Sequence, residues 1–304
     1  ARFHGGGRGL DGWLDQALAA VGAMEQPDQG LHMGYGRLAA GRTSLIADTA
    51  APPIGVAAAE AHASTLAMEL TSGRRPLIVN CGSGSSFGPE WRRAGRATPS
   101  HSTLCFDGVS SAHIAVRKDG AELLCDGPIE VQSEFTALGD GNRLEMAHDG
   151  YRRSHGLTHV RTLDLSKDGR ALAGEDLLTI LESFDEPIFD KALDTEKLQG
   201  IPWSVRFHLH PEVDAIVDLG GAAVSLTQKS GEIWVFRHDG AGEMRLEPSV
   251  YLENGRLRPR ATQQVVLSGR AMSYATRIRW SLSKAQDTPT ALRDVKENQP
   301  EFDV

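Results

Sequence analysis

Three side chains in the first third of the sequence are of types that bind metals or anions: His62, Asn80 and His101. His62 lies in Glu60-Ala61-His62-Ala63-Ser64, Asn80 closes the apolar run Leu77-Ile78-Val79, and His101 precedes Ser102-Thr103-Leu104-Cys105-Phe106. Two imidazoles and a side-chain oxygen could coordinate a metal ion or grip an anionic substrate. The bland alternative is that they are unrelated surface or core residues. Arg92, Arg93 and Arg96 form a local basic cluster that suits carboxylate or sulfate, or else a solvated loop. Trp91 beside them reads as a sugar-stacking platform or as a pin for the Gly/Ser-rich loop 82–88. His208 and His210 stand at i and i+2, so on a strand they share one face, either as a metal or substrate pair or as polar residues on an open sheet. His148, Tyr151, His155 and His159, interleaved with Arg152, Arg153 and Arg161, read as a sugar-binding lip or as a flexible polar loop.

The elements that must position these groups are strands. From residue 34 onward the chain is a succession of short β-rich runs, among them 43–47, 66–70, 77–79, 102–106, 112–117, 129–134, 144–147, 160–165, 177–184, 204–209, 215–217, 223–228, 233–238, 244–251, 262–267 and 275–282. Asp119-Gly120, Asp168-Gly169, Asp239-Gly240 and Asn254-Gly255 are hairpin signals. So many strands with so few helices predict a large antiparallel β-sandwich of stacked sheets. Trp203, Trp234 and Trp280 fall in strand patterns and are expected in its core. Residues 185–200 read as a loop with a helical turn. Residues 2–9 read as a Gly-rich hinge and 11–23 as the one convincing amphipathic helix, with Asp11 as its N-cap. The charged tail from 284 to 304 is expected to be partly disordered.

The combination of these segments resembles the C-terminal β-domain of the heparinase II/III-like polysaccharide lyases. The resemblance runs through Ala1-Arg2-Phe3-His4-Gly5-Gly6, Gly34-Tyr35-Gly36-Arg37, the His62, Asn80 and His101 segments, His148-Asp149-Gly150-Tyr151, Gly174-Glu175-Asp176 and Arg206-Phe207-His208-Leu209-His210-Pro211. By resemblance, His62, Asn80 and His101 stand where the family binds a structural zinc. Asn80 replaces the family's aspartate, and Glu60 replaces a histidine that lies near the substrate. Asn is neutral and a poorer zinc ligand than a carboxylate.

The resemblance implies β-elimination on a uronic-acid polysaccharide, heparan-like or alginate-like. That reaction needs the uronate carboxylate neutralised, a base for its α-proton and an acid for the leaving oxygen. His62 and Tyr151 are the candidate catalytic residues. Glu60, Trp91, Arg92, Arg96, His208 and His210 are the candidate substrate contacts. The family's cleft is completed by an N-terminal helical toroid. The chain is therefore expected to comprise a joining segment (1–30), the β-sandwich (31–284) and a tail (285–304), and to hold half an active site. The alternative is a non-catalytic module that binds acidic carbohydrate or acts as a scaffold. The family suggests a bacterial periplasm or cell envelope, with the cytoplasm left open.

The bulk properties constrain the partners. The 304 residues can bury a substantial core. A net charge of −8 argues against a nucleic-acid binder, whose usual footprint is a basic face. It leaves room for a local basic groove, because steering depends on where charges lie. Three cysteines, Cys81, Cys105 and Cys125, make no full disulfide framework. No apolar run approaches the roughly 20 residues of a membrane span. The start at Ala1 without Met is read as a fragment or a processed chain.

Overall fold

The computed structural model describes residue 16 and residues 29–285. The hinge expected over 2–9, the helix expected over 11–23 and the tail beyond Ala285 lie outside the described residues, apart from Gln16. In chain order the first strands are β1 (Gly30–His32), β2 (Tyr35–Ala40), β3 (Thr43–Asp48), β4 (Met68–Ser72), β5 (Arg75–Val79) and β6 (Leu104–Phe106). A small hairpin follows, β7 (His113–Val116) with β8 (Glu122–Cys125), then β9 (Val131–Ala137), β10 (Gly141–Tyr151), β11 (Leu157–Ser166) and β12 (Ala171–Thr179). The remainder holds β13 (Ile201–Leu209), β14 (Val213–Asp218), β15 (Ala223–Gln228), β16 (Ile233–His238), β17 (Glu243–Tyr251), β18 (Arg260–Ala271) and β19 (Ala275–Lys284). The described α-helices are α1 (Pro89–Arg96), α2 (Arg152–His155) and α3 (Glu186–Thr195).

The strands pair into a nine-stranded sheet, ordered β1-β2-β3-β4-β5-β13-β18-β17 with β6 on β13, and an eight-stranded sheet, ordered β14-β15-β16-β19-β12-β11-β10-β9. Strand alternation builds the layers. In β13, Trp203, Val205 and Phe207 are buried, while Pro202, Ser204 and Arg206 between them are half-buried on the other face. The buried rows of the two sheets meet: Phe207 lies 4.9 Å from Phe236 and 4.7 Å from Trp280, ring centre to ring centre. Where β2 crosses β10, a Cβ on Gly36 would come within 2.6 Å of Leu144, so the sheets touch there only because residue 36 lacks one. Each fully buried Leu, Phe or Val contributes about 1.5–3 kcal/mol, and this row of contacts is the main cohesion of the sandwich.

The antiparallel sandwich is as expected, with corrections in detail. Arg92, Arg93 and Arg96, read as a basic cluster or a solvated loop, lie on α1, with Pro89 and Glu90 in its first turn. Residues 185–200, read as a loop with a helical turn, hold the longer ten-residue α3, again opened by an acidic residue and a proline, Glu186 and Pro187. Asp119-Gly120, Asp168-Gly169 and Asn254-Gly255 do lie between paired strands. Asp239-Gly240 does not. It carries the chain from β16 of one sheet to β17 of the other. The segment 148–161, read as a sugar-binding lip or a flexible polar loop, is the end of β10, the short α2 and the start of β11, with His148, Tyr151, His159 and Arg161 buried. Trp203, Trp234 and Trp280 are core, as expected.

Candidate functional site

The loop from β3 to β4 and the loop from β5 to β6 carry most of the residues singled out above. His62 and His101, distant in sequence, are brought into contact with ring centres 5.2 Å apart and planes tilted by 57°. Both are buried, at 1% and 0% exposure. The scaffold is local backbone bonding: Ala63 N–H donates to the Arg96 carbonyl at 2.8 Å, Thr98 Oγ1 donates to the Ala63 carbonyl at 3.0 Å, and His101 N–H donates to the Thr98 carbonyl at 2.9 Å.

Asn80 sits against the same loop in a different role. Its Oδ1 accepts the Ser102 N–H at 2.8 Å and its Nδ2 donates to the Glu69 carboxylate at 3.1 Å. The carboxamide is thus committed at both ends, oxygen included. Among the described residues no three His, Cys, Asp or Glu side chains converge as a metal-binding group. Two imidazoles with a neutral, occupied amide do not fit the donor set of a closed zinc centre. A cavity of about 390 Å³ opens beside Asn80, lined also by Glu69, Ser83, Tyr251 and Glu253.

The arginines of α1 are already engaged where they stand. Arg93 forms a close ion pair with Glu122 of β8, and Arg92 reaches the same carboxylate at 3.5 Å and Glu60 at 3.3 Å. Hydrogen bonding from Arg93 holds the Glu122 carboxyl below its ordinary range. Arg96 is 1% exposed, donating from Nε to the Ala61 carbonyl and from Nη2 to the Ala58 carbonyl, each at 2.9 Å. It clamps the chain beside His62. Trp91 on the same helix is 37% exposed.

The other candidates are spread through the fold. Tyr151 is 0% exposed, donates its hydroxyl to the Leu104 carbonyl at 3.0 Å, and burial pushes its phenol well above the ordinary value. His208 accepts on Nδ1 from the Ser249 hydroxyl at 2.8 Å and donates from Nε2 to the Pro99 carbonyl at 2.9 Å. Burial pushes its imidazole down to about 4. The Cys81 thiol, 3.5 Å from that ring, is pushed up by burial to about 11, so the pair is an inert thiol beside a neutral imidazole. His210 packs instead edge-on to Tyr251 at 5.2 Å. The structure therefore joins His62 with His101, and Arg92 with Glu60, and leaves Tyr151, His208 and His210 in separate environments.

The residue that sequence reasoning undervalued is Asp176. It lies opposite Arg161 in the β11–β12 ladder and receives Arg161 Nε at 2.7 Å and Nη2 at 3.1 Å. Trp280 Nε1 and His159 Nε2 donate to it as well, at 2.9 and 2.7 Å. Arg161 Nη1 then crosses to the Leu66 and Ser102 carbonyls, at 3.0 and 2.9 Å, bolting the second sheet to the loops of the first. Its inward place in the alternation of β12, between Gly174 and Leu178, was the available signal.

Comparison with known proteins agrees with this architecture. A family model described as heparinase II/III-like, C-terminal, matches residues 24–281. FtsZ-localized protein C of Caulobacter vibrioides is 31% identical over 302 residues, covering 94% of this chain and 48% of that protein. The crystal structure of heparan sulfate lyase HepC from Pedobacter heparinus superposes with a TM-score of 0.60 at 12% identity, over 86% of this chain and 36% of that one. A crystal structure of heparinase III gives 0.58 at 15% identity, over 86% and 37%. At such identities the structures share the fold. The chain spans about half the length of the relative it matches, 48%, and less of the two enzymes.

Proposed function

The chain belongs to the heparinase II/III-like C-terminal family, and on that premise we propose that it is a non-catalytic recognition and scaffolding sandwich within a longer protein. Its fold is that of the C-terminal domains of polysaccharide lyases. The observation that carries the reading is the burial of the groups that would move protons. A lyase base and acid must come within hydrogen-bond reach of the sugar. Tyr151 at 0% exposure, His62 at 1% and His101 at 0% face protein on every side, and the Tyr151 proton is already donated to Leu104. Elimination by the longer protein would draw its acid and base from outside this chain. The His62 and His101 pair acts here as packing, and Arg96 as a backbone clamp. The similarity to a protein named for its localisation with FtsZ supports a role in assembly over turnover.

The test is elimination on heparan-type and alginate-type polymers, followed through the ultraviolet absorbance of the C4–C5 double bond. The longer protein is expected to give no signal that depends on this domain. Turnover abolished by Tyr151→Phe, with the variant still folded, would overturn the reading.

A further inference from the structure

At the turn end of the nine-stranded sheet a cleft of about 750 Å³ is lined by Arg37, Arg42 and Arg74 together with Ala39, Ser44 and Thr71. It lies on the outward face, since Leu38, Leu45 and Leu70, the strand neighbours of those small residues, are buried at 0% exposure. Ser44 stands opposite both Ala39 and Thr71 in the ladder, so small side chains from β2, β3 and β4 form one continuous patch between the arginines.

The cations are held in place before any ligand arrives. Arg42 and Arg74 come from two neighbouring hairpin turns, between β2 and β3 and between β4 and β5. Gly73 N–H ties the turns together by donating to the Arg42 carbonyl at 2.8 Å. A Cβ on Gly73 would sit 2.6 Å from Arg42 Nη2, so the guanidinium rests directly on that glycine. Arg37 donates from Nε to Ser44 Oγ at 3.3 Å, leaving its two terminal nitrogens for other acceptors.

Several arginines elsewhere on the outer faces are paired with carboxylates: Arg143 with Asp164, Arg245 with Glu243, Arg279 with Glu175. Arg37 and Arg74 have no such partner among the described residues, and none of the described residues lining the cleft is acidic. In a chain of net charge −8, a cleft whose described lining carries three arginines and no acidic residue runs against the overall balance. Convergent guanidinium forks match tetrahedral oxyanions, which accept two hydrogen bonds from each fork. The lining has no large apolar side chain to enter a bilayer. We infer that this cleft binds a soluble ligand carrying phosphate or sulfate groups. This holds whether or not the domain takes part in catalysis.

The test is titration with pyrophosphate and with sulfate at constant ionic strength, by calorimetry and thermal unfolding, on wild type and Arg37→Gln/Arg74→Asn. Asn suits position 74 because Arg74 has a left-handed φ of 63°. Wild type should bind and melt higher than in chloride, and the double variant should bind about tenfold or more weakly, the loss carried by a charge-assisted hydrogen bond. Arg245→Gln should bind like wild type. Equal binding by the double variant, or a response no greater than to chloride, overturns the inference. So does Arg37- and Arg74-dependent binding to phosphatidylglycerol vesicles that pyrophosphate fails to compete, which would make the ligand a membrane. If the double variant does not fold, Arg37→Gln alone decides.

Discussion

His159 donates its Nε2 proton to Asp176 across 2.7 Å, at one end of a buried chain of imidazoles. The Gly150 N–H needs a lone pair on His148 Nδ1, so a neutral His148 carries its proton on Nε2 and donates it to a bare His159 Nδ1 at 3.4 Å. His148 Nδ1 accepts the Gly150 N–H at 3.0 Å, which closes the sequence with both imidazoles neutral. Burial and the neighbouring Arg161 hold His148 well below its ordinary value, and burial lowers His159 despite Asp176.

Acid should therefore loosen the sandwich before most carboxylates titrate. The folded His148, His159 and His208 all bind protons less readily than the unfolded chain, so stability is complete above the unfolded histidine value of about 6.5 and falls as pH drops below it. For His208, held at about 4, the loss runs from about 6.5 down to that value and amounts to about 3 kcal/mol. Urea midpoints at a series of pH values would show the slope, and His208→Gln should flatten part of it. A flat wild-type profile across this range would refute the assignment.

The ion pair between Arg161 and Asp176 should be costly to break from one side. Both are fully buried, and Asp176→Asn leaves a guanidinium without its counter-charge. The expected loss is about 3–5 kcal/mol, and Arg161→Met combined with Asp176→Asn should cost less than the two changes summed. Chemical denaturation of the four proteins measures the coupling.

Arg96 should behave as a clamp. Arg96→Ala removes two charge-assisted bonds to the carbonyls of Ala58 and Ala61, with an expected cost of about 2–4 kcal/mol and faster amide exchange around residues 58–63. A substrate-binding arginine would instead leave stability and exchange unchanged.

Chelation should not move the melting temperature. Asn80 is committed to Ser102 and Glu69, His62 packs on His101, and among the described residues no three His, Cys, Asp or Glu side chains converge as a metal-binding group. Metal analysis should find well under one equivalent of zinc, while His101→Ala should destabilise equally with and without chelator. A chelator-induced drop restored by zinc would make the imidazole pair a metal centre.

Gly174 should tolerate no side chain. A Cβ there would land inside the Trp280 indole, whose nitrogen is tied to Asp176. Gly174→Ala is expected to cost about 1–3 kcal/mol by overpacking, read as a lower thermal midpoint.

The sequence by itself determined the class of fold, because strand alternation is a local property: Trp203, Val205 and Phe207 declare a buried face whatever lies opposite. It also marked His62 and His101, through residue type and family resemblance, and the loops do bring them together. The helices α1 and α3 were signalled only by Pro89-Glu90 and Glu186-Pro187, and apolar periodicity over so few residues is too weak to outweigh the surrounding strands. Tertiary structure alone decided what those residues can do. Glu122, which pairs with the arginines of α1, arrives from the β7–β8 hairpin, and no local pattern announces it. Tyr151, His159 and Arg161 read as a polar lip until the first sheet covers them. Which face a side chain takes follows from its neighbours in the chain. Whether that face is wet, buried or paired with charge follows from residues far away in sequence, and that sets the chemistry left to it.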